Sequence, residues 1–117
     1  MEVSYQDLNS NLRRITLAGR MDIQGTEEIA DRFASLSTDA MRNVVIDFTG
    51  VTFLASIGIR ALISNAKAQH KLGGRMALVV GGNTSVSKTL DATGIDVLLQ
   101  IFTNLHDAEQ ALGGASA

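Results

Sequence analysis

The segment Val44-Val45-Ile46-Asp47-Phe48 constrains the fold more than any other stretch of this chain. It is short, continuous and rich in β-branched residues, and it lacks the polar alternation of a strand that is wet on one side, so it reads as a strand covered on both faces. Such a strand belongs at the centre of a sheet and needs helices layered on both sides of it. The flanking sequence supplies them. Ile29, Phe33 and Leu36 recur at helical spacing, with Thr26 as a cap and Glu27 and Glu28 in the first turn. From Ser56 to Leu72, Ile59, Leu62, Ile63 and Ala66 keep to one helical face, while Arg60, Ser64, Asn65 and Lys67 fall on the other. Gly73-Gly74 ends that helix, and Lys67, His70 and Lys71 complement its carbonyl-rich end. Residues 76–80 and 97–101 read as further buried strands. Between them a short helix carries Val86 and Leu90, capped by Asn83 or Thr84 and stopped at Gly94. Leu105, Ala108 and Leu112 mark a closing helix behind Thr103 or Asn104.

Ahead of the central run, Leu12, Ile15 and Leu17 alternate with Arg13, Arg14 and Thr16. Residues 3–8 are placed to pair with them across Asn9-Ser10-Asn11. The expected class is therefore α/β, with a mixed sheet of about five strands and about four helices, an antiparallel opening hairpin preceding parallel crossovers. One domain is expected over residues 1–112, with a flexible tail at 113–117.

Composition narrows the function. A chain of 117 residues with 45% hydrophobic and 19% charged residues can close one core. A net charge of −2 lacks the basic footprint that nucleic acid requires. No apolar run approaches the roughly 20 residues that span a bilayer, and the polar start at residues 1–7 does not resemble a signal peptide, so a cytoplasmic location is expected. There is no cysteine, and His70 and His106 stand far apart in sequence, which leaves no metal set to propose. Ser56 has no Gly-x-Ser-x-Gly elbow around it, Gly81-Gly82-Asn83 lacks the spacing of a phosphate loop, and Asp22, Asp47 and Asp91 read as turn, strand-end and helix-surface residues. No catalytic residue, metal or cofactor is expected; the chain reads as a binding protein.

The segment from Asp47 to Arg60, where the central strand runs into the second helix, resembles the signature of STAS domains of the anti-sigma factor antagonist family. In that family a strand ending in Asp leads through an apolar pair to Asp-Ser-Ser/Thr-Gly-Leu at a helix start. Phe53-Leu54 match the pair, Ser56 the phosphorylated serine and Gly58 the glycine. Gly19-Arg20-Met21-Asp22, Leu72-Gly73-Gly74 and Thr93-Gly94-Ile95-Asp96 match further family elements in order, so the likeness covers nearly the whole chain. Ala55 and Ile57 depart from it, standing where the family usually has Asp and Ser or Thr.

The resemblance implies an antagonist that binds an ATP-dependent serine kinase, itself an anti-sigma factor, and is switched off by phosphorylation at Ser56. It implies partner contacts at Asp22, Asp47, Ala55, Ile57, Gly58 and Arg60, with no nucleic acid, no membrane insertion and at most a weak homodimer. The departures keep a second role open, an accessory or scaffold subunit of an ABC-type transporter ATPase or signalling assembly, in which Ser56 is a recognition residue that is never modified. By its own chemistry Ser56 is a natural helix cap. A phosphate there would meet free amides and the positive dipole end, so modification need not unfold the domain.

Overall fold

The computed structural model describes residues 1–113. The elements follow in the order β1 Glu2–Asn9, β2 Leu12–Met21, α1 Ile23–Ser37, β3 Asn43–Leu54, α2 Ser56–Lys71, β4 Met76–Val79, α3 Thr84–Thr93, β5 Gln100–Phe102 and α4 Leu105–Ala111, with a 3₁₀ turn at Ile95–Val97. The strands lie in the order β1-β2-β3-β4-β5; β1 pairs antiparallel with β2, and every later pairing is parallel. The expected mixed α/β sheet with an opening hairpin is the observed one, and Val44–Phe48 lies in its central strand.

Strand alternation sorts the core into two layers. Val44, Ile46 and Phe48 of β3 join Ile15 and Leu17 of β2 and Leu78 of β4 beneath Ile29 and Phe33 of α1, Leu62 and Ala66 of α2, and Val86 and Leu90 of α3. The opposite face is smaller, with Leu12, Val45, Ala77 and Val79 covered by Ala108 and Leu112 of α4. Phe33, Phe48 and Leu62 are fully buried, and each stabilises the fold by about 1.5–3 kcal/mol through water exclusion. At the end of α2, Gly73 adopts φ +85, the left-handed turn that a side chain would resist.

Several boundaries differ from the expectation. α1 starts three residues before Thr26, capped by Asp22. Thr26 is instead buried, and its Oγ1 has no partner among the described residues. The carboxylate of Asp22 displaced it because a β-region residue directly off β2 can aim its oxygen at the first amides. β3 runs on to Leu54 through two register shifts against β2. The last strand starts at Gln100, because Val97 turns out into solvent in the 3₁₀ turn at 93% exposure. Asn83 and Asn104 are the caps of α3 and α4. Of the expected tail, residues 114–117 lie outside the described residues.

Candidate functional site

β2 and β3 end side by side, Met21 opposite Leu54, so the chain leaves the sheet at adjacent points into α1 and α2. The Ala55 amide donates to the Met21 carbonyl at 3.0 Å and ties the two exits together. On the first exit, Asp22 Oδ1 accepts from the Gly25 amide at 2.8 Å, and Oδ2 lies 3.4 Å from Arg20 Nε. The Arg20 guanidinium also stacks over the Phe53 ring, 4.5 Å from its centroid, because these two residues are register partners.

The Gly25 amide first, and then Arg20, hold the Asp22 carboxyl below the usual carboxylate range. Asp7 is lowered in the same way, chiefly by its hydrogen bond from Arg13. A depressed folded value adds stability that is complete above the ordinary carboxylate range and is lost as pH falls through the folded values. Thermal melts over an acid series are therefore expected to decline, and Asp22→Asn, which keeps a cap acceptor that does not titrate, is expected to flatten that decline.

On the second exit, Ala55 occupies the N-cap position with φ −94 and ψ 169 and makes no side-chain cap bond. This corrects the reading of Ser56 as the cap. Ser56 is the first residue of α2, one position too far along to aim its oxygen back at the first amides, and its side chain is exposed. The backbone at Ala55 already has capping geometry but a methyl group cannot accept a bond, so Ala55→Asp is expected to stabilise the protein by about 1 kcal/mol, read as a raised melting temperature.

Ser56, Ala55, Ile57, Arg60 and Ile23 together line a shallow depression of about 410 Å³. Ile23, a large apolar side chain beside Ser56, is 65% exposed; Phe53, at 40%, lies under Arg20 and outside this depression. Adjacent exposed apolar residues ringed by polar groups are the mark of an interaction surface.

The residues singled out in the sequence separate into two groups. Ser56, Ala55, Ile57 and Arg60 share this surface, and Asp22 stands beside it at the start of α1. Gly58 is buried, and a Cβ there would meet Met21 Cγ at 2.8 Å and Leu54 Cδ1 at 2.9 Å, so it lets α2 seat against the two strand ends. Asp47 is buried as well, and alternation places it with Val45 on the sheet face opposite α2. Its Oδ1 accepts from the Thr49 amide at 2.9 Å and the Thr49 hydroxyl at 2.7 Å, beside a register shift where a bulge leaves ladder amides unpaired. Asp47 is thus not the strand-end residue that the sequence suggests, since β3 continues past it to Leu54.

Sequence reading missed Ile23, Arg20 and Phe53 as surface residues. An isoleucine directly after a helix cap, where no core face yet exists, was the available signal for Ile23. Arg20 and Phe53 meet only through the β2–β3 register.

The family model of the STAS domain matches residues 7–108. The chain belongs to the STAS domain family. It is 26% identical over 101 residues to the anti-sigma-F factor antagonist RsfB of Mycobacterium tuberculosis, an alignment covering 86% of this chain and 80% of RsfB. Its fold matches that of an anti-sigma factor antagonist from Mycobacterium paratuberculosis with a TM-score of 0.84 at 22% identity, over 95% of this chain and 92% of the other. It also matches the Bacillus cell fate determinant SpoIIAA in its phosphorylated form, with a TM-score of 0.68 at 15% identity, over 94% and 99% of the two chains. At these identities the structural likenesses establish the STAS fold of this chain and nothing finer.

Proposed function

We propose that this STAS protein is a cytoplasmic anti-sigma factor antagonist that binds an anti-sigma factor serine kinase through the surface around Ser56. Phosphorylation of Ser56 by that kinase ends the binding. The observation that carries this reading is the placement of Ser56, exposed on the first turn of α2 within an apolar depression, its hydroxyl free of any capping bond. A nucleotide-bearing kinase can reach such a hydroxyl. The missing side-chain cap at Ala55 also leaves the first amides of α2 for a phosphate to engage, so the modified domain stays folded. RsfB, an anti-sigma-F factor antagonist, and the phosphorylated form of SpoIIAA support the reading by family likeness. A phosphate adds about −1.5 to −2 charge and strong hydration to a surface that otherwise presents Ile23, Ala55 and Ile57, which dissolves a close-packed contact without moving the backbone.

Incubation with the anti-sigma factor kinase and ATP is expected to raise the intact mass by about 80 Da, the mass of one added phosphoryl group, with the label mapped to Ser56. Ser56→Ala is expected to stay unmodified and bound. A chain that binds the kinase and gains no mass sinks the phosphorylation step alone; a chain that does not bind sinks the antagonist reading.

Ala55 and Ile57 favour a second reading, an accessory subunit of an ABC-type transporter ATPase or signalling assembly, because they make the rim of Ser56 apolar. In that case a transporter ATPase would be the main protein retained on the purified chain, and Ser56→Ala would leave it in place.

A further inference from the structure

The charges of α2 are all of one sign. Its sixteen residues include Arg60, Lys67 and Lys71 and not a single Asp or Glu, although the chain as a whole carries a net charge of −2. At 100° per residue, Ser56, Arg60, Ser64, Lys67 and Lys71 fall within an arc of about 80° along about 22 Å of helix. All five are exposed. The arc lies opposite Leu62, Asn65, Ala66 and Gln69, which are buried. Arg13, Arg14, Arg20 and Arg42 each reach a carboxylate within 4.0 Å, whereas among the described residues Arg60, Lys67 and Lys71 have no ion pair. Neither do Arg32, Arg75 and Lys88, which lie outside α2, so it is the alignment of three along one helix face that is particular to α2. Neighbouring α1 carries Glu27, Glu28 and Asp31 on its exposed surface, yet none of them pairs across to α2.

We infer that this face of α2 is a docking surface for an acidic protein partner, anchored by Arg60, Lys67 and Lys71. The inference deepens the antagonist reading, resting on it only for the identity of the partner. Charge complementarity selects the occupant. Three separated cations match an acidic helix or ridge laid along one helix. A broad polyanion such as a duplex or an anionic membrane would also face the acidic surface of α1 and be repelled. At the head of the stripe, Arg60 lines the depression that holds Ile23, Ile57 and Ser56, so the charged track runs into an apolar anchor, the usual division of an interface into core and rim. A phosphate on Ser56 would sit one helical turn from Arg60 on the same face. Its charge of about −1.5 to −2 offsets about half to two-thirds of the charge of the three positive side chains and repels the incoming carboxylates, which couples the switch to the whole track.

The test is affinity of the full chain for the anti-sigma factor kinase across a salt series, wild type against Arg60→Gln/Lys67→Gln/Lys71→Gln. These positions are exposed, and circular dichroism melts are the control for whether the triple variant remains folded. The expected result is an affinity loss of about tenfold or more and a flatter salt dependence. Equal affinity with unchanged salt dependence overturns the inference while leaving the antagonist reading intact. Phosphatidylserine vesicles and duplex DNA are run in parallel, and binding to either as tight as to the kinase, lost in the same variant, overturns the choice of a protein occupant. Should the wild type fail to bind the kinase, the antagonist reading falls separately and the surface is judged by NMR titration with a synthetic helical peptide bearing glutamates along one face. Shifts along residues 56–71 that the variant lacks uphold the inference; shifts shared equally with Arg32, Arg75 and Lys88, or none, overturn it.

Discussion

Gly25→Ala is expected to destabilise the protein by about 3 kcal/mol, the upper end of the range for overpacked sites. Gly25 lies in the first turn of α1, where its own amide bonds Asp22, and a Cβ added there would overlap the Arg20 carbonyl oxygen. That neighbour is backbone inside a strand and cannot swing aside as a side-chain tip would. Alanine gains up to about 1 kcal/mol over glycine in helix propensity, too little to reverse the sign. For a domain of this size the melting temperature is expected to drop by on the order of 10 °C. The surface near Ser56 should suffer as well, because any shift of α1 moves Asp22 and Ile23 away from the end of β3. A Gly25→Ala protein that melts with the wild type would mean that the first turn of α1 has room to spare.

Gln69→Leu is expected to cost about 3 kcal/mol for a different reason. Gln69 is fully buried in α2, and its amide accepts from the Asp39 backbone at 2.7 Å and donates to the Arg42 carbonyl at 2.6 Å. It thereby holds the link between α1 and β3. Leucine fills most of the space but leaves the partly buried Asp39 amide and Arg42 carbonyl without their partner, at up to about 1–3 kcal/mol each, partly offset by the apolar side chain gained. Gly74 faces this amide so closely that a Cβ there would overlap it. Gly74→Ala is therefore expected to push the amide out and reproduce part of the loss. Chemical denaturation with an unchanged m value would read both effects as stability alone; a Gln69→Leu midpoint equal to wild type would refute the latch.

Val44–Phe48, the helical stripe at Ile59, Leu62 and Ala66, and the stop at Gly73 were legible because each is a local pattern, set by side-chain period or by backbone sterics within a few residues. The STAS likeness was legible on the same footing, carried by Phe53 to Gly58 in one continuous stretch. Misread features depended on partners distant in sequence. Thr26 looked like a cap until the strand before it delivered Asp22 to that position. Asp47 looked like a strand end until the register against β2 showed a bulge in β3 for it to satisfy, and Ser56 looked like a cap until the bond from the Ala55 amide to the Met21 carbonyl fixed where α2 begins.

The sequence by itself determined the element order, the class of the fold and the place of Ser56, the serine of the proposed switch, at the start of α2. Tertiary structure alone decided what surrounds that serine. Arg20 meets Phe53, and Ile23 meets Ser56, only because parallel pairing of β2 with β3 brings two strand ends, more than thirty residues apart in the chain, to one edge. The physical reason is that hydrophobic period and turn chemistry act over a few residues, whereas strand register is set by how the two faces of the finished sheet are buried.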